Sequence, residues 1–152
     1  MLCFTWPDGN SMQMWCVTLT IGMSFALSVG VQIPKTFRTR LAPVAIDAAM
    51  RANIAGSGSV TAILVGTKLT IGGKFDGLRA PATVAHLHKS IVTGVRGPAI
   101  LVLTVSKATS GVVSGSFDLS PEQIESLEKG RWYVQIDSQK APEGNLWGWL
   151  LK

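Results

Sequence analysis

Charge is scarce in this 152-residue chain, where Asp, Glu, Lys and Arg make up 15% and hydrophobic residues 47%. A chain so apolar buries a core and does not stay disordered. Its length suits one domain. Cysteine is nearly absent, and Cys3 and Cys16 both lie near the N-terminus. The rest of the chain therefore has no thiol for a disulfide or a thiolate metal site. Cys16 lacks the small residues that precede a lipoprotein cleavage site, so no lipid anchor is expected. No Lys or Arg precedes Lys35, and Asp8 is the sole earlier charge. The 14 basic residues give a net charge of +5, yet only Lys35, Arg38 and Arg40 cluster. A nucleic-acid surface needs a basic stripe with interleaved aromatics, so no nucleic-acid partner is expected. Weak attraction to anionic surfaces is all this charge implies.

Trp15 to Ile33 carries no charge and is mostly apolar. Such a run is an export signal or a single membrane anchor. Thr18, Thr20, Ser24, Ser28 and Gln32 dilute it as a membrane span, and Ala26-Leu27-Ser28 offers a small-x-small cleavage pattern. The first cations follow the run, which is the wrong side for export under the positive-inside rule. A cleaved signal ranks first, which makes the protein periplasmic or secreted. An anchor over 15–33 ranks second, and would be the sole route to a membrane. A misassigned start on a cytosolic protein ranks third. The expected organisation is a signal or anchor over 1–33, a linker or edge segment over 34–55 and a β domain over 56–152.

Short alternating runs separated by Gly and Pro fill that domain. Val60–Leu64 and Lys68–Phe75 flank Val65-Gly66-Thr67 as a hairpin. Gly72-Gly73 inside the second run predicts a bulge or a close backbone approach. Ala82–His88 is the next strand. Ile100–Val105 is apolar on both faces and predicts a central strand buried on both sides. Val112–Leu119 leads into Ser120-Pro121-Glu122-Gln123, a capping box with proline at the first helical position. One short helix is expected over about 120–129, with Ile124 and Leu127 facing inward and Gly130 ending it. Trp132–Asp137, a turn over Ala141–Asn145 and a last strand Leu146–Leu151 follow. The expected fold is mainly β, an antiparallel sandwich or open barrel with one short helix.

Six pieces in order resemble the CHRD (chordin-type) family, in the form of a single-domain bacterial-type member. They are Gly77-Leu78, Ala85-His86-Leu87-His88, Gly97-Pro98, Leu119-Ser120-Pro121-Glu122-Gln123, Tyr133-Val134-Gln135-Ile136, and Pro142-Glu143-Gly144 with Gly148. The resemblance covers about two thirds of the chain. It implies an exported, immunoglobulin-like or superoxide-dismutase-like β domain. Chordin, which binds growth factors, contains such domains, as do many bacterial proteins of unknown role. No established enzymatic activity follows. Members of the family usually carry His-Thr or His-Ser where this chain has Asp137-Ser138. They read Gly-Glu-Ile-Arg-Gly where this chain has Gly144-Asn145-Leu146-Trp147-Gly148, and Trp149 stands at a commonly polar position.

His86 and His88 are the two histidines. On a strand they share a face, with Leu87 on the other. Two imidazoles on one face suit copper or zinc. The pattern is similar to the copper-binding strand of copper/zinc superoxide dismutase. By that analogy the third ligand falls at Asp137, which shares a face with Tyr133 and Gln135. Two histidines and a carboxylate make an acceptable but less selective set. Glu143 and Tyr133 are candidates for a further ligand or for a hydrogen-bond partner to one. The same residues can simply hydrogen-bond to each other, and the substitution at Asp137 ranks that reading ahead of metal.

Trp147 and Trp149 share a face of the last strand and, with Arg96, form a candidate partner surface. Gly56-Ser57-Gly58-Ser59 lacks the spacing of a nucleophile elbow, and no glycine turn matches a phosphate loop. The leading expectation is a non-enzymatic, exported domain that binds an unknown protein or ligand. A copper- or zinc-binding protein using His86 and His88 is the alternative, and a dismutase-like enzyme ranks last.

Overall fold

A computed structural model describes residues 32–44 and 47–152. The N-terminal signal or anchor expected over 1–33, with both cysteines, lies almost wholly outside the described residues. None of the described helices is long and apolar enough to cross a membrane.

The described chain forms eight strands and one α-helix. They are β1 (Lys35–Leu41), β2 (Ser57–Val65), β3 (Lys68–Asp76), β4 (Ala82–Lys89), β5 (Ala99–Val105), β6 (Gly111–Asp118), α1 (Pro121–Glu128), β7 (Trp132–Ser138) and β8 (Ala141–Trp149). A short 3-10 turn, Met50–Ala52, lies between β1 and β2. The strands pair antiparallel in the order β1-β2-β3-β6-β5-β4-β7-β8. Two crossovers, β3 to β4 and β6 to β7, skip over intervening strands in the Greek-key manner.

The sheet curls until its two edges meet. Arg38 and Leu151 exchange backbone hydrogen bonds of 2.7 and 3.2 Å, and Ala42 and Trp147 exchange bonds of 3.0 and 2.9 Å. The result is a nearly closed barrel. The β5–β6 junction is also short, paired at Thr104↔Ser114 and Val105↔Val113 and continued by one bond from Ser106 N to Val112 O at 3.0 Å. The two short seams divide the barrel into two halves, β1-β2-β3-β6 and β5-β4-β7-β8.

Alternation fills the space between the halves. Phe37, Leu41, Val60, Ala62, Leu64, Leu69, Ile71 and Phe75 point inward from the first half. Leu87, Leu103, Trp132, Val134, Ile136 and Leu146 meet them from the second. Gly73 marks a close approach and no bulge: a Cβ there would lie 2.6 Å from Val60 Cγ2. The capping box forms as read, with Gln123 N donating to Ser120 Oγ and Ser120 N donating to Gln123 Oε1. Leu127 is fully buried and Ile124 packs on the core. Gly130 leaves the helix at φ +67°.

Two expectations are corrected. β5 is not buried on both faces, since Val102 is 65% exposed while Leu103 faces the core. An apolar outward residue made the run look two-sided. The residues expected as a turn over Ala141–Asn145 belong to β8, and the hairpin turns earlier, at Gln139 and Lys140. The register jumps from Ile136↔Leu146 to Ser138↔Ala141, so the intervening residues of β8 bulge out of the ladder. Gly144, at φ +123°, provides the backbone conformation for that bulge.

Candidate functional site

The sequence-derived site residues gather on the outer face of β4, β7 and β8. Register places His88 opposite Tyr133 and His86 opposite Gln135. It also places Tyr133 opposite Trp149 and Gln135 opposite Trp147. Leu87, Val134 and Leu146 take the inner face, as strand alternation requires.

Rings tile this face. His88 stacks on Tyr133 at 4.7 Å between centroids, and Tyr133 stacks parallel on Trp147 at 5.4 Å. Trp149 leans on Tyr133 at 4.7 Å and 48°. The Arg96 guanidinium lies 4.5 Å over the Trp147 ring, a cation–π contact. Tyr133 is fully buried although it points away from the core, while Trp147 and Trp149 stay partly exposed.

Two segments cover the polar members. The loop between β4 and β5 folds back through Gly97, whose carbonyl sits 2.9 Å from His88 Nδ1 and accepts from Tyr133 Oη at 3.1 Å. A carbonyl can only accept, so Nδ1 carries the proton. The bulge of β8 supplies the Glu143 carbonyl, which accepts from Arg96 at 3.0 Å and from Gln135 Nε2 at 3.3 Å. Glu143 thus meets the site through its backbone. Gly144 leaves room for the ring above it: a Cβ there would lie 2.7 Å from Trp147 Cε2.

Asp137 is buried and accepts from Gln135 Nε2 at 2.7 Å. Its other oxygen lies 3.8 Å from His86 Nδ1, an ion pair only when that ring is protonated. The two imidazole centroids are 5.9 Å apart and perpendicular. Burial raises the Asp137 carboxyl above its ordinary value, against the Gln135 hydrogen bond and the two histidines. Burial lowers His88, opposed by its bond to Gly97. Both groups are pushed toward their neutral forms.

Three polar atoms of this face are buried without a partner: His88 Nε2, Gln135 Oε1 and Trp147 Nε1. Among the described residues, no group of three or more His, Cys, Asp or Glu side chains is placed to hold a metal ion. His86, His88 and Asp137 share the face as a pair of rings and a carboxylate bonded elsewhere. Sequence reasoning put Gln135 on the face of Tyr133 and Asp137 and Gly97 in a family motif, but gave neither a role in the site. The role of Gln135 could have been found, because it stands between Tyr133 and Asp137 on their own face. Gly97 could not, because a loop contact is invisible to periodicity.

The family model described as CHRD domain matches residues 42–150. No curated protein matches the chain, and neither does any solved structure.

Proposed function

The chain belongs to the CHRD domain family, and from that premise we propose that it is a non-enzymatic binding domain working outside the cytoplasm. Its protein partner or ligand contacts the outer face of β4, β7 and β8. The observation that carries this reading is the ring ladder His88–Tyr133–Trp147, flanked by Trp149 and crowned by Arg96. The inner rings are locked, so the partly exposed edges of the two indoles are presented rigidly. Rigid aromatics beside an arginine are the composition of binding hot spots, because little side-chain entropy is lost on contact.

The test uses the full chain with a photo-cross-linking residue at Trp149, and with the same residue at Thr70 on the opposite half as control. The protein is exposed to the extracellular fraction of producing cells. An adduct formed at Trp149, absent at Thr70 and lost in Trp147→Ala, supports the reading. Equal adducts at both positions, or none at Trp149, overturn it. Export rests on the uncharged apolar run before Lys35, and an intact mass beginning at Met1 in the exported fraction would refute cleavage.

A second reading rests on one atom. His88 donates Nδ1–H to a backbone carbonyl and leaves Nε2 buried with its lone pair unused. Metal-binding histidines are commonly oriented in this way. On this reading His86, whose Nδ1 lies 3.8 Å from Asp137 Oδ2, would have to move toward His88 to complete a site, since the three are not grouped around one point. Titration with Cu(II) and Zn(II) decides it. Sub-micromolar affinity lost in both His86→Ala and His88→Ala establishes metal, and no uptake by the wild type removes it. A dismutase-like activity would require that metal first.

A further inference from the structure

The loop joining β4 to β5 displays aliphatic side chains to water. Ile91 is 86% exposed, Val92 54% and Val95 52%. Exposed aliphatic residues are ordinary when scattered, but three within five residues of one loop form a patch. Leu151, 49% exposed, extends it: a Cβ built on Gly130 would lie 3.0 Å from Leu151 Cδ2 and 3.6 Å from Thr93 Oγ1, so both flank that glycine.

The loop is held in this pose. Ser90 N donates to Arg131 O at 2.8 Å, and Lys89 N donates to Pro98 O at 3.1 Å. Thr93 Oγ1 donates to Gly130 O at 2.7 Å, and Ser90 Oγ donates to Val92 O at 2.8 Å. Gly97 is clasped by His88 and Tyr133. With base and middle tied to the α1–β7 turn and to the ring ladder, the tips cannot fold back onto the core.

Cations surround the tips. Lys89, Arg96 and Arg131 line a cavity of about 400 Å³ whose remaining walls include Ile91, Pro98 and Ile100. None of the three cations forms an ion pair among the described residues. An aliphatic wedge with a basic rim complements an amphiphile that is apolar inside and anionic at its surface. An acidic protein partner would need a pit shaped to protruding tips, whereas a bilayer accommodates them without one.

We propose that this loop docks on an anionic lipid bilayer, with Ile91, Val92 and Val95 entering the headgroup–acyl boundary and Lys89 and Arg131 facing lipid phosphates, while Arg96 stays on the Trp147 ring. This contact is separate from any made by the apolar N-terminal run. It gives the binding domain a surface to stand on while the Trp147–Trp149 face stays free.

The test reads amide hydrogen exchange across 91–95 in the full chain, with vesicles of phosphatidylcholine alone or mixed with phosphatidylglycerol. Protection is expected with the mixed vesicles and not with the neutral ones. Lys89→Gln and Arg131→Gln should each weaken binding to the mixed vesicles roughly fivefold, the worth of one basic side chain near an anionic surface. Val92→Ser with Val95→Ser should abolish the protection while leaving the melting temperature in place. Binding with no protection at 91–95 overturns the proposal, as does equal protection by both vesicle types. Dimerisation in solution that is lost in Val92→Ser also overturns it, in favour of a protein interface.

Discussion

At the scale of single residues, this face is a balance of burial and pairing. His88 is held below the ordinary imidazole value of 6.5, so the unfolded chain takes up its proton more readily than the folded one. Stability contributed by neutral His88 is therefore full above about pH 6.5 and is lost as pH falls below it. Asp137 has the opposite sign. Its carboxyl is raised above 3.8, so ionisation costs the folded state, and acid relieves that cost. Thermal melts between neutral pH and pH 5 should show a falling midpoint in the wild type and a flatter profile in His88→Gln. Asp137→Asn should leave the neutral-pH midpoint unchanged or raised, since the amide oxygen still accepts from Gln135. A second prediction concerns Gly144. Alanine there meets both a left-handed backbone and the Trp147 ring, and should cost about 2 kcal/mol in urea unfolding. The faces of His86, His88 and Asp137 were legible because strand alternation is a local rule. The unused Nε2 of His88 was not, because it depends on a carbonyl nine residues away in sequence.

At the scale of elements, local chemistry was read most fully where it is self-contained. Ser120, Pro121 and Gln123 start α1 by satisfying its free amides, and all the partners lie within four residues. Ser120→Ala should cost about 1 kcal/mol, seen as a lower denaturation midpoint with an unchanged slope. The β2–β3 hairpin was equally clear. β5 misled because composition does not say which of two apolar faces is covered, and Val102 points outward beside His86. The bulge in β8 was read as a turn because Pro142, Glu143, Gly144 and Asn145 are turn-forming residues. Their conformation is set instead by a distant partner: the buried Asn145 side chain donates to Ala55 O at 2.9 Å and accepts from Ala55 N at 3.3 Å. Asn145→Ala should strand both Ala55 groups and destabilise by roughly 1–3 kcal/mol in the same urea assay.

At the scale of the whole molecule, the mainly β class followed from turn spacing. Strand order did not, because crossovers leave no mark in periodicity. β1 is the clearest case. The family match begins at residue 42, yet β1 precedes it and closes the barrel with Phe37 and Leu41 in the core. Glu128 of α1 also ion-pairs with Lys35 of β1. A chain starting at residue 42 should therefore melt well below one starting at residue 32, and should aggregate, because the edges of β2 and β8 become free to pair.

The two short seams have a mechanical consequence. Strand pairing is extensive within each half, whereas the backbone ladders between the halves are short: four hydrogen bonds at β1–β8, beside the Asn145–Ala55 side-chain bonds, and the few residues paired at β5–β6. These lines lie four strands apart, on opposite sides of the barrel, and are where it is expected to hinge. Under stress the molecule should open like a locket along the β1–β8 line before any single strand peels away. The amides of Arg38, Ala42, Trp147 and Leu151 would then exchange first, and a clamp across that line would slow unfolding more than any equal gain made within a half.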